Sequence, residues 1–342
     1  MLTPLDASQL RRRRLMLAVP LVACGLVVAP VQVQPGIHQA SRNLMGTRLD
    51  LTLQGGDGRR LNEAADAAFA EMTRLADMMS RYRQDSVLNA INLAAGVQPV
   101  QVPPELMRVL EMAQQAAQAS GGAFDATVGT LKDWNFDADH PGLPTAAQLA
   151  AQLPLVGSKG LRLDRRRGTA YLRERGMRLD LGGIAKLPIL QAGLERLHAH
   201  GVRNAMLNGG GDVLVSGKLD GRPWRVGLRD PRRPDQLLGA VELTRGFVAA
   251  SGDYERYFMY QGKRLHHILD PHTGYPSQGP HGLALVGDDL AAINGLGAAI
   301  MVAGAAAGQR RLAKLPGVDA FMVDADRRLW LSDGMRTRLR QA

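Results

Sequence analysis

The chain has 342 residues, 45% of them hydrophobic and 4% aromatic, and a formal net charge of +10. That length supports a substantial core in one large or two small domains, and the lack of heptads or of a 20–50-residue repeat excludes coiled coils and solenoids. A single cysteine excludes disulfides and structural Cys-zinc sites; with no clustered basic–aromatic stripe, the positive charge points to a phosphate-bearing ligand or an anionic membrane surface and not to nucleic acid.

Residues 1–29 read as an export signal. Arg11 to Arg14 precede fifteen residues without charge, Leu15 to Ala29, which are the charged and apolar regions of a signal peptide. The apolar run is shorter than the ~20 residues of a stable membrane span, and Pro20 and Gly25 weaken it further. The arginines are twin-arginine-like, although the full consensus is absent. Cys24, in LVAC, resembles the lipid-bearing cysteine of a lipobox. Cleavage, lipidation and a retained anchor stay open, and all three put the remainder outside the cytoplasm.

Residues 30–40 read as a Pro/Gln-rich linker, and 41–342 as one domain with no internal break. GTRLDLTLQG alternates apolar and polar residues, a strand ending at Gly55-Gly56. From Leu61 to Tyr82 the apolar spacing is helical. PPELMRVLEMAQQAAQAS opens on proline and stops before Gly121-Gly122, the punctuation of a helix. A short capped helix follows from Thr145, then two strands around a polar turn in 161–183, a strand ending at Asp180, and a helix from Ala185 to His200. NAMLNGG, DVLVSGKL, WRVGLRD, GAVELTRGFVAAS, HHILD and LALVGD read as strands. A helix covers 289–314, with Asp289 as its N-cap, and DAFMVDADRRLWLS closes as a hairpin turning at 324–327. Strands and helices interleave without regular βαβ units, which is an α+β pattern.

Five stretches pack Gly with Asp, Ser or Thr at element ends: GGAFDATVG (121–129), LDLGGIAK (179–186), NGGGD (208–212), ASGDYERYF (250–258) and HHILDPHTGYP (266–276). Glycine ahead of a helix lets backbone N–H groups approach a phosphate, and Lys186 would add a point charge. None fits the Rossmann or P-loop fingerprint, and the lack of GxSxG argues against a serine hydrolase. His266, His267 and His272 could be metal ligands, which leaves open an unrelated exported metal-binding protein. In an extended strand His266 and His267 point to opposite faces, one toward a site and the other toward the surface.

In chain order these stretches, with MGT (45–47), SRYRQDSVLNAIN (80–92) and WRVGLRDP (224–231), resemble the FAD:protein FMN transferase (ApbE-like) family over about Met45–Gly304. The resemblance implies an α+β fold of mixed sheets and packed helices around an FAD cleft. It implies export, often as a lipoprotein, to the periplasmic side of a bacterial inner membrane. It implies a reaction: FAD binds with Mg2+, a Thr or Ser hydroxyl of a target flavoprotein attacks the phosphorus of the FMN half, and AMP leaves. The usual acceptors are respiratory components of the membrane, reached here through an anchor or a lipid. By motif position His267 is the catalytic base. Met45, Tyr82, Ala123, Phe124, Asp125, Asp180, Lys186 and Ile268 contact FAD, and Gly183, Asn294 and Ala298 occupy the metal positions.

Two places depart from the family pattern. DLGGIAK continues as KLPILQ, with Leu187, Pro188 and Gln191 in place of a glycine, a tyrosine and an aspartate. Leu187 then brings bulk toward the ligand, and Pro188 is tolerable if it falls in the first helical turn. Asn294 and Ala298 stand where the family has a metal-binding Asp and Thr. Their spacing of four would set them on one helical face, with the face kept and its oxygen ligands lost. The alternative to a transferase is therefore a catalytically impaired FAD-binding carrier or accessory protein.

Overall fold

The structure, a computed structural model, describes residues 36–137 and 139–341. The expected export signal, Cys24 included, lies outside these residues. Residues 37–40, expected in the linker, are a correction: they pair with residues 51–54 as part of the first strand.

Strands β1 (Ile37–Leu44) and β2 (Thr47–Gln54) form a hairpin. Its two turn residues, Met45 and Gly46, have φ of 55° and 71°, the left-handed pair of a type I′ turn. Helix α1 (Gly58–Met78) is capped by Asp57 and buries Leu61, Ala64, Ala65, Ala68, Phe69, Met72 and Leu75, one stripe at helical spacing. It ends before Tyr82 because Ser80 Oγ accepts the backbone N–H groups of Tyr82 and Arg83. That turn leads to α2 (Val87–Leu93), which the apolar pattern did not disclose and which Ser86 caps. Next come β3 (Val100–Gln101), α3 (Pro104–Ala119), a 3₁₀ turn at Ala126–Thr130, and α4 (Ala146–Gln152), whose Thr145 and Gln148 form a capping box. Then follow β4 (Leu161–Asp164), β5 (Thr169–Leu172) and α5 (Lys186–Ala199). No strand ends at Asp180: residues 177–181 are irregular backbone, held by the side chains described below.

The second half contains β6 (Asn204–Gly209), β7 (Asp212–Ser216), β8 (Trp224–Asp230), β9 (Arg233–Leu243), β10 (Arg245–Gly252), β11 (Tyr257–Tyr260), β12 (Lys263–His266) and β13 (Gly282–Gly287). GAVELTRGFVAAS is two strands and not one. β9 pairs with β8 in a separate hairpin, and β10 crosses into the main sheet.

Among the described residues one sheet has the order β1-β2-β6-β7-β10-β13-β14-β15, with β14 (Asp319–Val323) and β15 (Leu329–Leu331) as the expected closing hairpin. The α+β class holds, and every strand pairing is antiparallel. Both faces of this sheet are covered. Leu214, Phe247, Leu283, Leu285 and Met322 join the main core with α1, α3 and α5. Their neighbours Val213, Val215, Val248, Ala284 and Phe321 join a second core under the β8–β9 hairpin. Alternate side chains of a strand point to opposite faces, so each central strand serves two cores.

The expected helix over 289–314 is broken twice. α6 (Leu290–Ile293) stops at Asn294, α7 (Leu296–Ala303) stops at Gly304, and α8 (Ala305–Leu312) follows. Gly295 and Gly304 have φ of 76° and 87°, which glycine alone adopts without strain. Asp289 is the expected N-cap, accepting from the N–H of Ala291. A last helix, α9 (Asp333–Arg338), is capped by Ser332.

Candidate active site

The quoted stretches are distant in sequence and are sewn together by backbone contacts. Asp180 N–H donates to Ala126 O at 2.7 Å. Thr130 Oγ1 accepts from Arg178 N–H at 3.0 Å. Asn92 brackets Leu179, accepting from its N–H at 2.7 Å and donating to its carbonyl at 3.2 Å. A Cβ on Gly129 would lie 2.6 Å from the Leu179 backbone, so glycine is what permits this approach. One network therefore binds α2, the GGAFDATVG loop and the LDLGGIAK loop. On the far side of GGAFDATVG, Gly122 lies against the His272 ring and Trp134 Nε1 donates to Gly274 O at 2.8 Å, which brings in HHILDPHTGYP.

A second set of contacts joins the remaining stretches. Lys186 Nζ lies 2.9 Å from Asp212 Oδ2, and Asp212 Oδ1 accepts from Ala250 N–H at 3.2 Å. Burial pulls the Lys186 pKa down, but the Asp212 carboxylate outweighs it and the net direction is upward, so the ammonium stays charged. Gly210 comes so close to Thr47 that any Cβ would overlap its side chain. NGGGD, ASGD, MGT and the start of α5 thus share one end of the main sheet. Met45 is partly buried against the core and holds a positive φ, unusual for a long side chain.

Asp180 and Tyr82 meet through Arg81. The guanidinium stacks 4.7 Å from the Tyr82 ring centroid, Nη2 donates to the Tyr82 hydroxyl at 2.9 Å, and Nε lies 3.2 Å from Asp180 Oδ2. Tyr82 itself is 71% exposed, so it belongs to no core. Asp180 Oδ1 accepts from Gly182 N–H at 2.8 Å. Ala123 and Phe124 are buried; the Phe124 ring lies beside both Gly183 and Gly295. Asp125, expected against the ligand, turns its carboxylate into its own loop. Its buried carboxylate accepts from Thr127 N–H at 2.8 Å, Thr127 Oγ1 at 2.6 Å and Ser158 N–H at 2.6 Å. It fixes the loop, and the backbone of 123–125 is what this stretch offers a ligand.

His267 is half-buried. Its Nδ1 lies 3.2 Å from Arg256 O, a carbonyl that can only accept. Nδ1 therefore carries the proton, and Nε2 has a free lone pair. Burial and the charge of Arg256 push its pKa down to about 4, and Lys186 contributes in the same direction. A neutral imidazole with an open acceptor beside a lysine is equipped to take a proton from a nearby hydroxyl. His266 is not at the surface: it is 5% exposed, and its Nε2 lies 2.9 Å from Ser277 O. HHILD is not the expected strand: β12 ends at His266, which is packed core, and His267 lies in the bend after it. Ile268 packs against the main core and accepts from Ser277 N–H.

The expected metal positions, Gly183, Asn294 and Ala298, bring no carboxylate or hydroxyl together. Asn294 ends α6 in an extended conformation, φ −69° and ψ 125°, while Ala298 lies in the next helix. The two share no helical face, because Gly295 reverses the backbone between them. Asn294 turns its amide group to donate from Nδ2 to Ile184 O at 2.9 Å. Ala298 has no ligating atom, and among the described residues no group of three or more His, Cys, Asp or Glu could hold a metal. Magnesium prefers hard oxygens including one or two carboxylates, so these residues do not fit it. The cavity beside Asn294, lined by Met112, Ala116, Ser120 and Arg311 among others, measures about 100 Å³, well below the ~300–1,000 Å³ of a cofactor pocket. Leu187 is 4% exposed in the main core, so its bulk does not enter the ligand side as expected. Pro188 does fall in the first turn of α5.

Sequence reasoning assigned no role to Arg81, Asn92, Asp212 or the carbonyl of Arg256. All four lie inside stretches already singled out, where an arginine beside a tyrosine and an aspartate after three glycines were the available signals. The Arg256 carbonyl left none.

The chain as a whole is similar to known proteins. A family model described as the ApbE family matches residues 45–322. The chain is 34% identical over 242 residues to a FAD:protein FMN transferase of Klebsiella pneumoniae, covering 70% of this chain and 74% of that protein. It is 32% identical over 299 residues to a FAD:protein FMN transferase of Treponema pallidum, 82% of each. Among solved structures it resembles the ApbE protein of Thermotoga maritima, with a TM-score of 0.81 and 28% identity, over 89% of this chain and 100% of that one. It also resembles the flavin transferase ApbE of Vibrio cholerae, with a TM-score of 0.77 and 26% identity, over 89% and 99%.

Proposed function

The chain belongs to the ApbE family, and from that premise we infer that it is a FAD:protein FMN transferase. The observation that carries the reading is His267, a neutral imidazole whose Nδ1 is committed to Arg256 O and whose Nε2 is free. In this reading the hydroxyl oxygen of an acceptor Thr or Ser attacks the phosphorus of the FMN half of FAD. His267 Nε2 takes the hydroxyl proton. The new O–P bond forms as the bond to the bridging oxygen breaks, and AMP departs with that electron pair. Phosphoryl transfer is mostly positioning and charge stabilisation. The glycine loops bring backbone N–H groups close to the substrate, Lys186 supplies positive charge, and Arg81 with Asp180 fixes the wall beside Tyr82. The magnesium ion implied by the resemblance is no part of this reading, since the residues at its place do not fit it.

The acceptor is a flavoprotein presenting a Thr or Ser, and by resemblance a respiratory component of the membrane. The arginine run and apolar stretch of 11–29 support export to the periplasmic side, with membrane contact through an anchor or a lipid on Cys24. Fractionation of cells making the tagged full chain tests this; recovery only in the cytoplasm would end it.

The activity is tested by incubating the purified protein with FAD and an acceptor domain, following AMP release and FMN attached to protein. Loss of a general base typically costs ~10²–10⁴-fold. His267→Ala should lose about that much transfer while retaining FAD affinity. A wild-type chain that binds FAD and never releases AMP would refute the transferase reading.

A further inference from the structure

Two departures from the family pattern, Pro188 and Asn294, meet at one carbonyl. In a regular helix the carbonyl of Ile184 would accept the N–H four residues on. That residue is Pro188, which has no N–H. α5 begins at Lys186 with Ala185 as its N-cap, and Ile189 N–H bonds back to Ala185 O at 3.1 Å, so Ile184 O lies just outside the ladder, without a helix donor, within a buried residue. Asn294 Nδ2 fills it at 2.9 Å. Asn294 is 7% exposed. Its own N–H closes α6 on Leu290 O at 2.9 Å. Gly295 then turns the chain sharply, its Cα seated between Ile184 and Phe124. The proline frees an acceptor, and the asparagine supplies the donor. An aspartate at 294 would have no N–H to offer and would set a carboxylate against a carbonyl, two acceptors that need a cation between them.

We infer that Asn294 is a positioning residue that clamps the Asp180–Lys186 loop onto the α6–α7 junction by a direct amide–carbonyl bond, in place of a cation, so that this chain binds FAD without a divalent metal. The inference rests on the reading of that loop as part of the FAD site. Breaking the clamp leaves a buried carbonyl unpaired, a loss on the order of tenfold in any equilibrium that depends on it.

The test uses the purified full chain, with FAD affinity read from quenching of flavin fluorescence and the thermal midpoint read in parallel, in EDTA and in millimolar magnesium. The wild type should give the same affinity and midpoint in both media, within about twofold. Asn294→Ala should bind FAD about tenfold more weakly in both. Asn294→Asp should be weak in EDTA and regain affinity in magnesium, a split that a purely structural role for Asn294 would not produce. Wild-type affinity that collapses in EDTA overturns the inference. So does an Asn294→Asp variant indifferent to the chelator, or an Asn294→Ala variant with unchanged affinity. A wild type that binds FAD in neither medium refutes the FAD reading itself, which keeps the two failures distinct.

Discussion

A base is useful only if its proton inventory is fixed before the substrate arrives. His267, the proposed base, achieves this with one backbone carbonyl, which selects the tautomer, and with burial and positive neighbours that keep the ring neutral. Because its pKa is pushed down to about 4, the base form persists far below the ordinary histidine range. Single-turnover FMN transfer should therefore stay level as pH is lowered from 8 to 5 and decline only as it nears 4. A decline centred near 6.5, the ordinary histidine value, would show that His267 is either solvated or not the base. Asp125 makes the complementary point. Its position suggested a ligand contact, but three internal donors occupy its carboxylate, and a carboxylate so engaged organises the loop.

Among the elements, the broken segment 289–314 has the clearest consequence. Its composition favours a continuous apolar helix, and of its four glycines, Gly295, Gly297, Gly304 and Gly308, only Gly295 and Gly304 break it. Isolated glycines in a helical pattern are ambiguous: they lower helix stability by about 1 kcal/mol without ending the helix. Tertiary contact decides the matter here, because Asn294 is held by Ile184 and Gly295 is wedged beside Ala116, Ile184 and Phe124. Gly295→Ala would force an L side chain to φ 76° with its Cβ 3.2 Å from Ala116. The conformational part alone is worth about 1–2 kcal/mol. Urea unfolding should show a loss of at least that size, with FAD affinity reduced as well. A variant as stable as the wild type would mean that the break is not fixed by this glycine.

At the scale of the whole molecule, the site depends on the antiparallel sheet and its flanking helices holding loops from both halves of the chain together. Two of the buried or half-buried imidazoles lie in the HHILDPHTGYP stretch and couple that assembly to pH. Burial lowers the pKa of both His266 and His267 in the folded state, so the unfolded chain binds protons first as pH falls. Stability is thus at its full value above about 6.5, the unfolded histidine pKa. It declines as pH drops from there toward about 4, the folded value for His267. The thermal midpoint should fall between pH 7 and pH 5, and less steeply in His267→Gln. A midpoint that holds constant or rises over that interval would contradict the buried neutral state of both rings.

The sequence by itself determined the elements whose signals are local. The stripe of α1, the proline opening of α3, the capping box of α4, the helix at α5 and the closing hairpin depend on neighbours within a few turns, and each folds where its pattern placed it except the last turn of α1, which the Ser80 turn replaces. Motif order likewise determined the family and singled out His267 as the proposed base, because those stretches are distinctive wherever the fold sets them. Tertiary structure alone decided what the side chains do. Leu187 turns into the core, Asp125 turns into its own loop, His266 is buried on a second packed face, and the Asn294 amide reaches the carbonyl that Pro188 leaves free. The Asn294 bond spans 110 residues and one Asp125 donor lies 33 residues on; Leu187 and His266 are set by packing, and no periodicity or spacing carries that information.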